Sequence, residues 1–184
     1  MMTNDFPTIK TDLIILRKIT DADLENIFKG LSNPEVIEYY GISFGSLEAT
    51  KEQMIWFEKK KQLWWAICSP DNHFFYGAGG LNDIDNKEKK AEIGLWLLPD
   101  FWGMGIMKEA MPLITNYGFN ELKLNRIEGF VETENNKCKK AISKLDFQLE
   151  KTMKNCEVKN GKLISVDVYA KTNSIAESNS PNKI

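Results

Sequence analysis

Apolar and polar residues follow two different periods along this chain, and the period predicts the elements. The run "TDLIILRKI" (11–19) is typical of a short strand, whereas "TDADLENIFKGL" (20–31) spaces its apolar residues three and four apart, as an amphipathic helix does. Two further helices are predicted over 33–41, with a proline in the first turn, and over 46–62, with a serine N-cap. The N-terminal third should therefore be a strand followed by three helices.

The period changes to two after residue 62. Runs at 63–68, 73–84 and 90–98 are rich in aromatic and β-branched residues and are separated by turn-forming pieces, which predicts an antiparallel meander of three strands. A long helix is predicted over 104–122, and a strand over 126–132.

The C-terminal part predicts a helix over 135–145 and a final hairpin over 147–172 that turns at "KNGK". The crossover from the strand at 90–98 through a helix to the strand at 126–132 favours one parallel pair in an otherwise antiparallel sheet. The predicted fold class is mixed α/β, with helices flanking a central twisted sheet in one domain.

Composition narrows the function classes. The chain has 184 residues, 42% of them hydrophobic and 27% charged, with a formal net charge of −2, which argues against the concentrated basic face of a nucleic-acid-binding protein. No apolar run is long enough to span a bilayer, and the N-terminus lacks the order of a signal peptide, so we expect a cytoplasmic protein that is not membrane-bound. The domain is predicted over 1–172, followed by a polar, disordered tail over 173–184.

The cysteines predict neither a disulfide framework nor a metal site. There are three of them, Cys68, Cys138 and Cys156, widely separated and without a CxxC pair. We therefore expect no metal.

Two glycines lie one residue apart in "FWGMGIMKEA", between a predicted strand and the long helix. The absence of side chains at Gly103 and Gly105 would let an anion such as a pyrophosphate reach the unpaired amides at the helix N-terminus. A tight turn that needs only the backbone freedom of glycine explains the same spacing equally well. Neither GxxxxGK[ST] nor GxGxxG is present at this turn, so it is neither a Walker loop nor a Rossmann fingerprint.

Two longer segments carry a family resemblance. "AEIGLWLLPDFWGMGIMKEA" followed by "NYGFNELKLNRIEGFVETEN" resembles the GNAT N-acetyltransferase superfamily, and within it the branch of ribosomal-protein alanine acetyltransferases (RimJ/RimL-like). The resemblance extends from "LIILRKITDADLENIF" to "VDVYA", nearly the whole chain. It implies a GNAT fold and acetyl-CoA as co-substrate.

The resemblance implies a cofactor-binding segment around the two glycines. The superfamily binds pyrophosphate on a (Q/R)xxGx(G/A) loop, which maps onto Trp102, Gly103, Met104, Gly105, Ile106 and Met107. Trp102 replaces the usual Gln or Arg, and Met107 replaces the final small residue. The backbone groups of Trp96, Leu97 and Leu98 are implied to be free to bind the pantetheine arm and to polarise the thioester carbonyl.

Glu92 is the candidate general base. It lies in the strand "AEIGLWLL", and by alternation it shares a face with Gly94 and Trp96. A charged residue on an exposed strand face is the alternative from the pattern alone. The resemblance favours the base, often acting through a water molecule.

The segment "ENNKCKKAISKLDF" resembles the branch pattern ENxxSxxxxxKLGF. Asn135 matches an asparagine that contacts the cofactor, although asparagine is also an ordinary helix cap. Cys138 replaces a serine that can act as the acid; the alternatives are protonation of the leaving thiolate and an inert, buried thiol. Ile142 stands where many relatives have a tyrosine, and Asp146 stands where the pattern expects glycine.

Several other polar and aromatic residues have weaker signals. Three lysines of the same segment either approach the 3′-phosphate of the cofactor or form a solvated helix face: Lys137, Lys139 and Lys140. His73 is interpreted as a turn or strand-edge residue. Tyr39 and Tyr40 lie in the region that borders the acceptor site in the family, so one of them is a candidate for substrate contact.

Together these features predict an N-acetyltransferase that transfers the acetyl group directly in a ternary complex. The acceptor is a primary amine, either the N-terminus of a protein or peptide or a small molecule such as a polyamine or an amine-bearing antibiotic. A non-catalytic module that senses CoA or binds a partner protein is the alternative from another class. A homodimer is expected from family habit.

Overall fold

The computed structural model describes residues 6–173, which form eight strands, five α-helices and two short 3-10 turns. The strands are β1 (Ile9–Lys10), β2 (Ile15–Lys18), β3 (Leu63–Cys68), β4 (Phe75–Asp85), β5 (Lys90–Leu97), β6 (Arg126–Glu132), β7 (Gln148–Lys159) and β8 (Lys162–Thr172). The helices are α1 (Leu24–Leu31), α2 (Pro34–Ile37), α3 (Leu47–Phe57), α4 (Ile106–Asn120) and α5 (Asn136–Ser143), and the 3-10 turns are Asp21–Asp23 and Pro99–Phe101.

The strands form one sheet in the order β1-β2-β3-β4-β5-β6-β8-β7. β5 and β6 are parallel, with Ala91 opposite Ile127, whereas β2–β3, β3–β4, β6–β8 and β7–β8 are antiparallel. The predicted crossover and mixed α/β class are therefore confirmed.

The chain divides into two compact units, and the first contains residues 6–82 and 94–114. Its core is an aromatic and aliphatic cluster that includes Trp64, Phe75 and Trp96. Gly30 of α1 packs directly on the Trp96 ring, because a methyl group at Gly30 would lie 2.0 Å from ring carbon Cζ3. Since a Cβ could not fit there, this glycine lets α1 approach the sheet closely.

The predicted helix at 46–62 is correct at its start and too long at its end. Ser46 caps α3 by accepting a hydrogen bond from the Ala49 amide at 3.1 Å, but the helix ends at Phe57. Within α3, Leu47 is exposed while Gln53 is buried.

The second unit contains residues 83–93 and 115–173. The β7–β8 hairpin turns through Asn160 and Gly161, whose φ angles of 50° and 76° are both in the left-handed region that two-residue hairpins require. Asp146 also adopts a positive φ of 64°, so it occupies the left-handed position for which the family pattern has glycine. The predicted tail at 173–184 lies, apart from its first residue, outside the described residues.

Candidate active site

The turn between β5 and α4 requires glycine at two positions. Gly103 and Gly105 have φ angles of +77° and +79°, a conformation that residues with a Cβ adopt only with strain. A Cβ built at either position meets no atom within 4 Å. The backbone conformation therefore demands glycine here, and the space beside both residues is open, so the turn satisfies both interpretations of the sequence.

This turn presents a row of amides. The first hydrogen bond of α4 runs from the Glu109 amide to the Gly105 carbonyl at 3.1 Å. Within the described part of the chain, the amides of residues 103–108 donate to no acceptor. The N-terminus of a fifteen-residue helix also has a partial positive charge from the helix dipole, so this backbone is suited to an anion.

The side chains of the turn differ in their placement. The Trp102 indole Nε1 donates to the Leu97 carbonyl at 2.8 Å, which ties the turn to the end of β5. Met104 is 63% exposed, whereas Ile106 is buried and Met107 is half-buried. Met107 thus points less into solvent than Met104 and leaves the glycine backbone uncovered.

The backbone at the end of β5 is less available than predicted. The Leu97 carbonyl accepts from Trp102, and the Leu98 amide donates to the Tyr76 carbonyl at 2.8 Å. The Leu98 amide is therefore not free to donate to a pantetheine arm, whereas the Leu97 carbonyl has one donor already and keeps its second lone pair.

Glu92 is half-buried in β5, between the buried residues Ala91 and Ile93. The parallel register places it opposite Glu128 of β6, whose carboxylate is held by Arg126 at 2.8 Å. Gly94, two residues farther along β5, lies against Trp64, since a Cβ there would be 2.8 Å from the indole. Half-burial lets a carboxylate exchange protons with solvent while it stays in a defined place, which suits a base.

Asn135 and Cys138 meet at the start of α5. The Asn135 side chain accepts a hydrogen bond from the Cys138 amide at 3.0 Å, so the helix-cap interpretation is correct. Burial raises the pKa of the Cys138 thiol to about 11. The sulfur therefore keeps its proton at neutral pH, and it is a weaker acid than an ordinary thiol of pKa about 8.5.

Lys139 is half-buried, and its ammonium is already paired within the protein. Its ammonium lies 2.8 Å from the Asp167 carboxylate and donates to the Thr133 carbonyl at 3.2 Å. Lys137 and Lys140 are exposed on the same helix, as the alternative of a solvated face predicted for them. No sequence pattern pointed to Asp167, which lies 28 positions after Lys139 in the chain.

The remaining candidates lie in the first unit. His73 is exposed in the turn before β4, with Nδ1 3.1 Å from Asp71, as predicted for a turn residue. Tyr40 packs against the aromatic core, where burial raises the pKa of its hydroxyl. Tyr39 is half-buried, and neither tyrosine gains a defined role from its placement.

Two hydrogen-bond donors without acceptors in the described part of the chain lie in the core of the first unit, and no sequence pattern predicted them. The indole nitrogens of Trp64 and Trp96 are buried and have no hydrogen-bond partner among the described residues. A buried N–H without an acceptor costs free energy, so each of these two indoles lowers the stability that its burial would otherwise contribute.

A cavity of about 250 Å³ in the first unit is lined by three basic residues, but it has no excess positive charge. Each of the three has a nearby carboxylate: Arg17 pairs with Asp23, Lys29 with Asp100 and His73 with Asp71. An anion would therefore gain little there. Among the predicted site residues, Leu98 lines this cavity.

Metal and membrane features can be judged over residues 6–173. No group of three or more His, Cys, Asp or Glu side chains in this part of the chain could hold a metal ion. None of the described helices combines the length and apolar character needed to cross a bilayer.

The solved structures that share this fold include acetyltransferases. The spermidine N-acetyltransferase of Vibrio cholerae, solved with CoA and spermine, superposes with a TM-score of 0.82. The match covers 89% of this chain and 98% of that one at 19% sequence identity, which establishes the fold.

Sequence relatives give the family. The model of the acetyltransferase (GNAT) domain matches residues 14–148. The uncharacterized N-acetyltransferase YoaA of Bacillus subtilis is 34% identical over 170 residues, covering 90% of this chain and 96% of the relative. YdaF of the same organism, provisionally named a ribosomal N-acetyltransferase, is 34% identical over 71 residues, 39% of each chain. The protein belongs to the GNAT acetyltransferase family and is an N-acetyltransferase.

Proposed function

We propose that this enzyme transfers the acetyl group of acetyl-CoA to a primary amine by direct attack in a ternary complex. The observation that carries the proposal is the open glycine turn, where the amides of residues 103–108 donate to no described acceptor. These donors, together with the α4 dipole, would bind the pyrophosphate of CoA. Binding at this point would hold the thioester in a defined position for attack by the amine.

The chemical step forms a carbon–nitrogen bond and breaks a carbon–sulfur bond. Glu92 takes the proton that the amine must lose, through a water molecule. Cys138 donates its proton to the departing sulfur as negative charge builds there, and solvent then reprotonates the Cys138 thiolate. The Asn135 side chain contacts the cofactor in addition to capping α5.

The acceptor class rests on relatives of two kinds. The Vibrio cholerae structure is a spermidine N-acetyltransferase, which supports a small-molecule amine. The partial match to YdaF supports a ribosomal protein N-terminus and the RimJ/RimL-like branch. The match to the Vibrio enzyme extends over nearly the whole chain, so a small-molecule amine is our first choice and a peptide N-terminus the second. A cytoplasmic location and a homodimer are further parts of this proposal.

Calorimetry with CoA and a free-thiol release assay over a panel of amines test the proposal. The panel contains spermidine, spermine, an amine-bearing antibiotic and a peptide with a free N-terminus. We expect turnover with at least one amine, and a fall of about 10²-fold or more in Glu92→Gln, because general-base catalysis contributes about that much. Glu88→Gln, in the exposed turn before β5, is the control and should leave the rate unchanged.

Two results would overturn the proposal. If calorimetry detects no binding heat with CoA, the turn does not bind the cofactor and the proposal fails. Binding without turnover on the whole panel favours a non-catalytic CoA-binding module on the same fold.

A further inference from the structure

A charged pair in the second unit joins three segments of chain. The Lys139 ammonium of α5 lies 2.8 Å from Asp167 of β8 and donates to the Thr133 carbonyl in the β6–α5 turn at 3.2 Å. Asp167 is only 2% exposed, and its other oxygen accepts from the Thr152 hydroxyl of β7 at 2.5 Å. The pair therefore ties the start of α5 to the β7–β8 hairpin.

Stability alone does not account for this pair. Taking an ammonium and a carboxylate out of water offsets most of the attraction between them, and apolar replacements of such pairs are often as stable or more so. Asp167 lies opposite Val131 on one side and Thr152 on the other, and its chain neighbours Val166 and Val168 are buried. A charged pair in such surroundings specifies geometry, since it is satisfied only when both partners are in place.

The helix that Lys139 holds cannot fix its own position. α5 has only eight residues, and helices this short depend on packing. Ile142 anchors its last turn on β6, where a Cβ at Gly129 would lie 2.7 Å from the Ile142 side chain. Lys139 anchors the first turn, which contains Cys138 and the Asn135 cap.

We propose that Lys139 and Asp167 are positioning residues for acetyl transfer: their ion pair sets the orientation of the first turn of α5 and thereby the placement of the Cys138 thiol and the Asn135 side chain. This inference rests on the proposed function, since it assigns these two side chains to the acetyl-CoA site. It also explains why a lysine in a basic segment is turned inward instead of toward a phosphate.

Four variants test the pair: Lys139→Arg, Lys139→Met, Asp167→Asn and the double variant Lys139→Met/Asp167→Asn. Lys139→Met leaves the buried Asp167 carboxylate without its cation, and Asp167→Asn leaves the half-buried Lys139 ammonium without its anion, so both the melting temperature and kcat should fall in these two variants. The double variant removes both charges, so its melting temperature should return toward that of the wild type. Its kcat should stay about tenfold to hundredfold lower, with KM for acetyl-CoA changed by no more than about twofold.

Lys139→Arg keeps the charge and donors and should retain most of kcat. A double variant that recovers kcat together with its melting temperature would overturn the proposal, because the pair would then serve only to neutralise charge. If the double variant does not fold, Thr152→Val replaces it. This change removes one hydrogen bond from Asp167 and keeps the pair, so kcat should fall about threefold; an unchanged kcat contradicts the inference.

A second measurement does not depend on turnover. Iodoacetamide labelling followed by peptide mass spectrometry gives the alkylation rate of half-buried Cys138, with exposed Cys156 as internal reference. We expect this rate to rise about tenfold in the double variant and to stay unchanged in Lys139→Arg, because the first turn of α5 loses its anchor. If the wild type acetylates no amine but Cys138 labelling still rises, the proposed function fails and the placement of Cys138 by the pair stands. Unchanged labelling and unchanged kcat in an active enzyme refute the pair's role alone.

Discussion

The Trp102 indole donates to the Leu97 carbonyl at 2.8 Å, so the residue just before the first glycine of the turn is bonded to the last residue of β5. This bond closes the loop that leads into α4. It also uses a carbonyl that the family resemblance implied would bind the cofactor. Trp102, in the position where relatives have Gln or Arg, therefore organises the turn from within instead of reaching toward an anion.

Removing that indole N–H tests its effect on cofactor binding. Trp102→Phe should weaken CoA binding about fivefold, because about 1 kcal/mol of hydrogen bonding no longer orders the turn. Trp65→Phe is the matched control: its indole donates to the Pro7 carbonyl at 2.7 Å, away from the turn. Calorimetry should show reduced affinity in Trp102→Phe and unchanged affinity in Trp65→Phe. Equal affinities would contradict a role for Trp102 in the turn.

The two left-handed glycines should not tolerate alanine. Gly103→Ala and Gly105→Ala each impose about 1–2 kcal/mol of backbone strain, which the turn relieves by moving its amides. We expect CoA affinity to fall about tenfold in each, measured by calorimetry. Gly45→Ala is the control, because Gly45 has equal space for a Cβ and no positive φ. A tight CoA complex in both turn variants would show that these amides do not bind the cofactor.

Replacing Asp146 with glycine, the residue that the family pattern has at this position, should stabilise the protein. Its φ of 64° costs an aspartate more than a glycine, while glycine loses more entropy on folding, so Asp146→Gly should raise the free energy of unfolding by about 0.5 kcal/mol. Asp146→Ala should lower it instead. The weak pair with Lys171 at 3.6 Å, whose Asp146 side chain is 88% exposed, contributes little to this comparison. Urea unfolding of the three proteins should rank them Gly above Asp above Ala.

Acid should destabilise the fold through Asp23. Burial raises the pKa of this carboxyl, but the bidentate Arg17 guanidinium at 2.8 Å and the Thr20 amide outweigh burial and bring its pKa below the ordinary value of 3.8. The stabilisation is complete above pH 3.8 and is lost as the pH falls through the lower folded value. Asp23→Asn should thus reduce stability at pH 6 and flatten its decline below pH 4. Asp21 is an exposed neighbour, so Asp21→Asn should change neither the stability at pH 6 nor its decline below pH 4. If stability declined below pH 4 in Asp23→Asn as it does in the wild type, this assignment would be contradicted.

Because the Trp64 indole has no acceptor within the described chain, replacing Trp64 should cost less stability than replacing its neighbour Trp65. Phenylalanine removes the same volume from Trp64 and Trp65, but only Trp65 loses a hydrogen bond, to the Pro7 carbonyl. Trp64→Phe should therefore cost about 1 kcal/mol less than Trp65→Phe in urea unfolding. Equal losses would mean that the Trp64 indole is paired in solution.

Local patterns were sufficient for most of the elements. The strand at 126–132 has the predicted bounds, the hairpin turns at Asn160 and Gly161, and Ser46 begins α3, because alternation, turn chemistry and capping are properties of short segments. The glycine turn was equally visible, since a positive φ next to a helix start selects glycine by local sterics. The end of α3 could not be predicted from the local pattern, because Glu58 and the lysines after it suit a helix as well as a loop.

The sequence by itself determined the family, the order of the elements and the residues that we propose for the chemistry: a turn at Gly103 and Gly105, a glutamate in β5 and a cysteine in the first turn of α5. Only the tertiary structure decided which backbone and side-chain groups already have a hydrogen-bond or ion-pair partner within the protein. The Leu97 carbonyl accepts a hydrogen bond from Trp102, and Lys139 forms an ion pair with Asp167. The indoles of two buried tryptophans have no hydrogen-bond acceptor among the described residues. The physical reason is that a hydrogen bond or ion pair depends on atoms that meet in space, and spacing along a chain does not specify which distant side chain completes it.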